Sequence, residues 1–238
     1  MEFSGIKETK STSDLELLGD IPFPNFDEMK ENDKTPRKRF LSTSILTTSS
    51  KHVLPILPVY DIIPHITPET MVDVLNGKFK ESFEKIVILD CRFKYEYDGG
   101  HIIDALNVES DETLKKIFFS DTLKSSSTCI IFHCEYSHNR GPQLAKIFRE
   151  IDRQINYENY PELNYPNVYI LDGGYRNFYS QYPSYCKGGY IRMYNKLNRH
   201  DGSLRQSVSK FRKSFDYSRK NLENQAHTLP SSFHPTFF

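Results

Sequence analysis

Five positions separate Cys134 from Arg140, and that spacing is where this sequence could do chemistry. Cys129-Ile130-Ile131-Phe132-His133 leads into the thiol as a short, β-branched apolar run, the pattern of a buried strand. Gly141 and Pro142 follow the arginine, then apolar residues at 144, 147, 148 and 151, which is helical spacing. A loop of this length can curl so that successive backbone N–H groups of Glu135, Tyr136, Ser137, His138 and Asn139 point inward at the start of a helix, where three phosphoryl oxygens could sit. Arg140 would add a planar clamp on two of those oxygens. The same positive field favours a thiolate at Cys134, a nucleophile able to attack phosphorus. Pro142 is tolerated because first-turn N–H groups have no helical partner. Each residue also has a plainer reading: Cys134 as a small buried hydrophobe, Arg140 as a surface cation, His133 as a core histidine.

The elements that must position this loop alternate along the chain. Thr67-Pro68 to Asn76-Gly77 is a capped helix, with Met71, Val74 and Leu75 on its apolar face. Lys85 to Cys91 is a continuous apolar strand of the kind parallel sheets bury on both faces. Tyr95 to His101 reads as a turn-rich loop, 102–108 as a further short strand, and Asp111 to Phe119 as a short helix with an acidic start. Asn167 to Leu171 is another strand, Asp172-Gly173-Gly174 a turn, and Tyr175 to Tyr182 a last helix. Strands alternating with helices predict an α/β fold with a parallel sheet, whose ligands sit at the C-terminal ends of strands. Cys134, Cys91 and Asp172-Gly173-Gly174 all fall at such ends.

The chain has 238 residues, with 31 basic and 31 acidic side chains. That length suits one domain with extensions, and the charge balance gives no reason to expect nucleic acid or an anionic membrane as a partner. Met1 to Glu8 has no apolar core of a signal peptide, and no run is long enough to span a bilayer. Four cysteines without paired spacing suggest a reducing compartment and neither a disulfide framework nor a metal site. Residues 1–50 are polar and aperiodic, which predicts a disordered regulatory extension. Within it Thr35-Pro36-Arg37-Lys38 fits proline-directed kinases. The domain proper is expected over 51–198, opening with a proline-interrupted lead-in. From 199 to 238 we expect a basic, flexible tail, since 199–220 carries seven Lys/Arg against two Asp.

Three ordered stretches resemble the M-phase inducer phosphatases, a dual-specificity cell-cycle family with a rhodanese-like fold. They are Leu89-Asp90-Cys91-Arg92-Phe93-Lys94-Tyr95-Glu96-Tyr97-Asp98-Gly99-Gly100-His101-Ile102, then His133-Cys134-Glu135-Tyr136-Ser137 with Arg140-Gly141-Pro142, and Tyr169-Ile170-Leu171-Asp172-Gly173-Gly174-Tyr175. The likeness covers about Tyr60 to Asn195 and continues weakly through Tyr190-Ile191-Arg192-Met193. It implies a rhodanese-like parallel sheet flanked by helices. It implies removal of inhibitory phosphates from Thr and Tyr of a cyclin-dependent kinase–cyclin complex, promoting mitotic entry, in the nucleus and cytoplasm. Cys134 is then the nucleophile, Arg140 the phosphate clamp and Cys91 a redox partner able to form a reversible disulfide with Cys134; plain packing is the alternative for Cys91. Arg149 and Arg153, one turn apart, would dock the substrate kinase, or simply form a solvated helix face. No cofactor or metal is implied, and a monomer is expected.

The sequence also departs from the family. Asn139 stands where the animal pattern has Glu before the loop arginine, Gly141 where tyrosine phosphatases have Ser/Thr, and no Trp is present to build their acid loop. Glu135 is left as the candidate general acid, unless the substrate monoanion carries its own proton. Rival readings are an arsenate reductase or a sulfurtransferase on the same fold, although the sulfurtransferase loop is usually one residue shorter. A non-catalytic docking module is a third, but such modules tend to lose the cysteine or the arginine.

Overall fold

The structure is a computed structural model and describes residues 52–59, 61–120 and 126–227. The expected N-terminal extension, with Thr35, lies outside these residues. The elements run β1 (His65–Ile66), α1 (Pro68–Leu75), β2 (Lys85–Asp90), α2 (Lys94–Asp98), β3 (Gly100–Ile102), β4 (Leu106–Asn107), α3 (Asp111–Phe118), β5 (Thr128–His133), α4 (Arg140–Ile155), β6 (Asn167–Leu171), α5 (Gly174–Gln181), β7 (Cys186–Gly188), α6 (Lys196–His200) and α7 (Ser203–His227).

Five strands form one sheet in the order β1-β6-β5-β2-β4, and every pairing is parallel. β5 is central because all six of its residues are buried, so both its faces need cover. β2 pairs with it from Lys85↔Thr128 to Asp90↔His133, and β6 from Cys129↔Asn167 to Phe132↔Ile170. Because the strands are parallel and in step, Cys91 and Cys134 leave the sheet side by side; the Cys91 N–H donates to the His133 carbonyl at 2.8 Å. A separate two-stranded antiparallel ribbon, β3 with β7, joins Gly100 to Gly188 and Ile102 to Cys186.

Helices on both faces supply the rest of the core. α1 starts as its sequence dictates: Thr67 Oγ1 accepts the Thr70 N–H, and Pro68 occupies the first turn. α4 buries Leu144, Ile147, Phe148 and Ile151. Phe148 lies 5.2 Å from Phe118 and 5.7 Å from Phe132, ring centre to ring centre, in edge-to-face contacts. Each such buried aromatic contributes about 1.5–3 kcal/mol by area alone. Among the described residues no helix is long and apolar enough to cross a membrane.

Two expectations are corrected. The stretch from Tyr95 is not wholly a turn-rich loop: Lys94–Asp98 form the helix α2, closed by the Glu96 side chain accepting the Phe93 N–H at 3.0 Å. The basic tail is also more than a tail, because Ser203–His227 form the long helix α7. Leu204, Val208 and Phe211 fall at helical spacing, Val208 and Phe211 are buried, and Ser214 Oγ donates to Asp111 Oδ1 at 2.7 Å. Lys210, Arg212 and Lys213 remain exposed on the same helix.

Candidate active site

Residues 134–139 curl away from the end of β5 and hand over to α4 at Arg140. The turn passes through Ser137 at φ +56°, a left-handed conformation that costs a non-glycine residue energy and persists only where the surroundings impose it. Those surroundings are the start of α5. The Tyr175 N–H donates to the Cys134 carbonyl at 2.9 Å, and the Arg176 N–H to the Glu135 carbonyl at 3.0 Å. Gly174, at φ +63°, allows this approach: a Cβ there would lie 2.6 and 2.7 Å from the same two carbonyl oxygens. The Asp172-Gly173-Gly174 turn therefore shapes the loop directly. Gly141 does the equivalent from α4, where a Cβ would come within 3.0 Å of the His133 carbonyl carbon.

Cys134 and Cys91 are both free thiols, 3% and 1% exposed. Burial, with Cys134 and Asp90 nearby, pushes the Cys91 thiol well above its ordinary value, so it stays protonated. Arg140 is buried among three groups. Its Nη1 donates to Glu96 Oε2, its Nη2 donates to Glu96 Oε1 at 3.1 Å, and its guanidinium lies over the Phe93 ring at 4.6 Å. A second carboxylate, Glu135 Oε2, is 3.9 Å from Nη2. Burial alone would make this cation easier to deprotonate; Glu96 outweighs it, helped by Cys134 and Glu135, and Arg140 stays charged. Burial also pushes the Glu96 carboxyl up, with Arg140 pulling it back.

Glu96 is the main functional residue that sequence reasoning missed. Its reach back to Phe93 is a local pattern that could have revealed α2. Its grip on Arg140, 44 positions away, left no local signal.

Glu135 is not free to serve as a proton donor. Oε1 accepts the Tyr190 hydroxyl at 2.5 Å and Oε2 accepts the Met193 N–H at 3.3 Å, so the carboxylate staples the loop to the segment after β7. Tyr136 is 39% exposed at the rim, with the Arg176 guanidinium 5.3 Å from its ring centre. His138 is exposed beside it. Asn139 Oδ1 accepts from Gln143 Nε2 at 2.5 Å. Ser137 Oγ is buried inside the loop without a hydrogen-bond partner among the described residues.

Beneath the loop lies a second, fully buried ionic cluster. Arg92 Nε donates to Asp90 Oδ1 at 2.9 Å, Nη2 donates to Asp90 Oδ2 and to the Gly100 carbonyl at 2.6 Å each, and the guanidinium covers Tyr175 at 3.8 Å. His133 faces Asp90 at 3.9 Å and is fully buried, which lowers its tendency to protonate and supports its reading as a core histidine.

Away from the loop, the expected docking pair splits. Arg149 is buried, donating to Asp152 Oδ2 at 3.1 Å and to the Tyr165 and Pro166 carbonyls at 2.8 and 3.2 Å. It fastens the chain after α4 and presents no free guanidinium, contrary to the expectation of a shared exposed face. Arg153, on the same helix, is exposed.

Residues 75–181 match the family model of the rhodanese-like domain. The chain is 41% identical over 160 residues to an M-phase inducer phosphatase of Emericella nidulans, a stretch that is 67% of this chain and 28% of that protein. It is 43% identical over 150 residues to an M-phase inducer phosphatase of Schizosaccharomyces pombe, covering 63% and 24%. Over 129 residues it is 43% identical to human M-phase inducer phosphatase 2, covering 52% and 22%. The chain thus spans about a quarter of the length of these relatives.

Proposed function

We propose that this chain, which belongs to the M-phase inducer phosphatase family through its rhodanese-like domain, is a cysteine-dependent dual-specificity protein phosphatase acting on a cyclin-dependent kinase. One observation carries the reading: Arg140, held by Glu96, stands at the end of a loop that starts at Cys134. The phosphoryl group of the substrate enters the loop, where backbone N–H groups, the Ser137 hydroxyl and Arg140 take its oxygens. Cys134 Sγ attacks phosphorus in line. The S–P bond forms, the ester P–O bond breaks and the leaving oxygen takes a proton. Because Glu135 is stapled, that proton comes from the substrate itself, bound as the monoanion. Water then attacks the cysteinyl phosphate, the S–P bond breaks, and inorganic phosphate and the thiolate are released.

The reading extends to a kinase–cyclin complex as substrate, mitotic entry as outcome, and work in the nucleus and cytoplasm, supported by the names of the relatives alone. Arg153 is the basic contact left for docking. The decisive measurement is phosphate release from a doubly phosphorylated kinase–cyclin complex and from an aryl phosphate. Cys134→Ser should reduce both to background; unchanged turnover would sink the mechanism. Sulfur transfer from thiosulfate, in place of phosphate release, would move the chain to the sulfurtransferases.

Cys91 adds protection on this reading. Peroxide converts the Cys134 thiolate to a sulfenic acid; the Cys91 sulfur attacks it, water leaves and an S–S bond forms. Peptide mapping after peroxide should find the Cys91–Cys134 link, and a stable sulfinic acid at Cys134 would count against it.

A further inference from the structure

Both groups that fix Arg140 come from one small piece of chain. Glu96 lies on α2 and Phe93 is the residue that caps it. The carboxylate holds the edge of the guanidinium, and the Phe93 ring, 4.6 Å away, sets the tilt of its face. A helix of five residues has little stability of its own, so α2 needs an outside reference to hold these groups still. Phe93 has two aromatic neighbours among the described residues. Tyr95, at 6.0 Å, belongs to α2 and moves with it. Phe211, at 6.4 Å and 74°, belongs to α7.

α7 has its own anchorage. Val208 and Phe211 are buried, and Ser214 bonds Asp111 at the start of α3. The chain leading to α7 grips α2 a second time, because Tyr95 Oη donates to the Met193 carbonyl at 2.7 Å. A path of direct contacts therefore runs from α7 through Phe211 to Phe93 and on to Arg140.

We infer that α7 is a positioning element for the phosphate clamp: Phe211 seats Phe93, and through Phe93 sets the orientation of Arg140. This rests on the phosphatase reading of the site. It gives the C-terminal helix a role in the binding of the phosphoryl group itself, separate from any attraction its basic face exerts on a protein substrate. A phosphoryl oxygen must meet the guanidinium within a few tenths of an ångström, and small misplacements of a clamp cost large factors in binding and rate.

The test uses the full chain and tungstate, an oxyanion that is bound and not turned over, titrated by calorimetry alongside kcat and KM for a small aryl phosphate. Phe211→Ala should weaken tungstate binding about tenfold and lower kcat/KM to match. Phe211→Tyr keeps the ring and should stay within about twofold. Val74→Ala in α1, a buried core position outside the Phe211–Phe93–Arg140 path, should cost stability and leave tungstate affinity unchanged. In a cycle with Phe93→Leu the losses should fall short of additive, since both act on one path. Wild-type tungstate affinity in Phe211→Ala, no rescue by Tyr, or strict additivity overturns the role of α7 alone. A wild-type chain that binds no tungstate overturns the phosphatase reading and this inference with it.

Discussion

Arg92 and Arg140 each fork onto a carboxylate and each lie on an aromatic ring, yet their surroundings differ in one respect. Asp90 and Arg92 are neighbours at the end of β2 and both side chains are 0% exposed. A backbone carbonyl, that of Gly100, fills a further donor of Arg92, and Tyr175 covers its face. Arg140 draws its carboxylate from a separate helix, keeps 7% of its side chain open, and sits 3.9 Å from a second carboxylate already occupied elsewhere. The first cluster is sealed from solvent, although Arg92 Nη1 has no hydrogen-bond partner among the described residues, and it ties β2 to β3 and α5. The second is held on one edge and open on the other, as a ligand clamp must be. The same pairing chemistry yields a scaffold or a binding group according to whether the guanidinium is sealed from solvent or left partly open.

Breaking each pair on its carboxylate side should separate the two roles. Asp90→Asn leaves the Arg92 cation buried without its counter-charge, and should cost about 3–5 kcal/mol of stability; denaturant unfolding measures it. A loss near zero would mean that Arg92 is not committed to the scaffold. Glu96→Gln keeps one acceptor beside a slightly open arginine. It should lower kcat/KM by about ten- to a hundredfold, or about 1.4–2.7 kcal/mol of transition-state stabilisation, with a smaller loss of stability. If stability fell as far as in Asp90→Asn while turnover per folded molecule held, the contrast would fail.

The smallest effect is on acid stability. Burial would lift the Asp90 carboxyl, but His133 and Arg92 more than compensate and hold it below its ordinary value. Its folded pKa is depressed, so its contribution is present above the unfolded value of about 3.9 and is lost as pH falls below it. Unfolding midpoints between pH 6 and pH 3 should drop for the wild type. The paired replacement Asp90→Leu with Arg92→Met should flatten that drop, and an unchanged slope would place the acid sensitivity elsewhere.

Much of this was legible from local pattern. β2, β5 and β6 announce themselves as apolar runs because a strand buried on both faces has no polar positions to spare. Cys134 and Arg140 are legible because the loop between them has a length set by the ion it would hold. What stayed hidden depends on distant partners. α2 has one turn and runs straight into Asp98-Gly99-Gly100, so it resembles a loop until Glu96 is seen to close it. Arg149 looks like any exposed helical arginine until the chain at Tyr165 and Pro166 returns to use its donors. α7 was masked by its basic residues, although Leu204, Val208 and Phe211 carried the helical period. Glu135 is acidic and well placed, and only Tyr190 and Met193 show that both its oxygens already accept hydrogen bonds.

That staple bears on the order in which the site is assembled. On a ribosome adding about 5–20 residues each second, Cys134 emerges well before Tyr190 and Met193. Until those residues follow, the Glu135 carboxylate lacks these two donors. The nascent chain therefore carries Cys134 before the contacts that fasten its loop, and a product truncated ahead of Tyr190 would hold the loop without that staple.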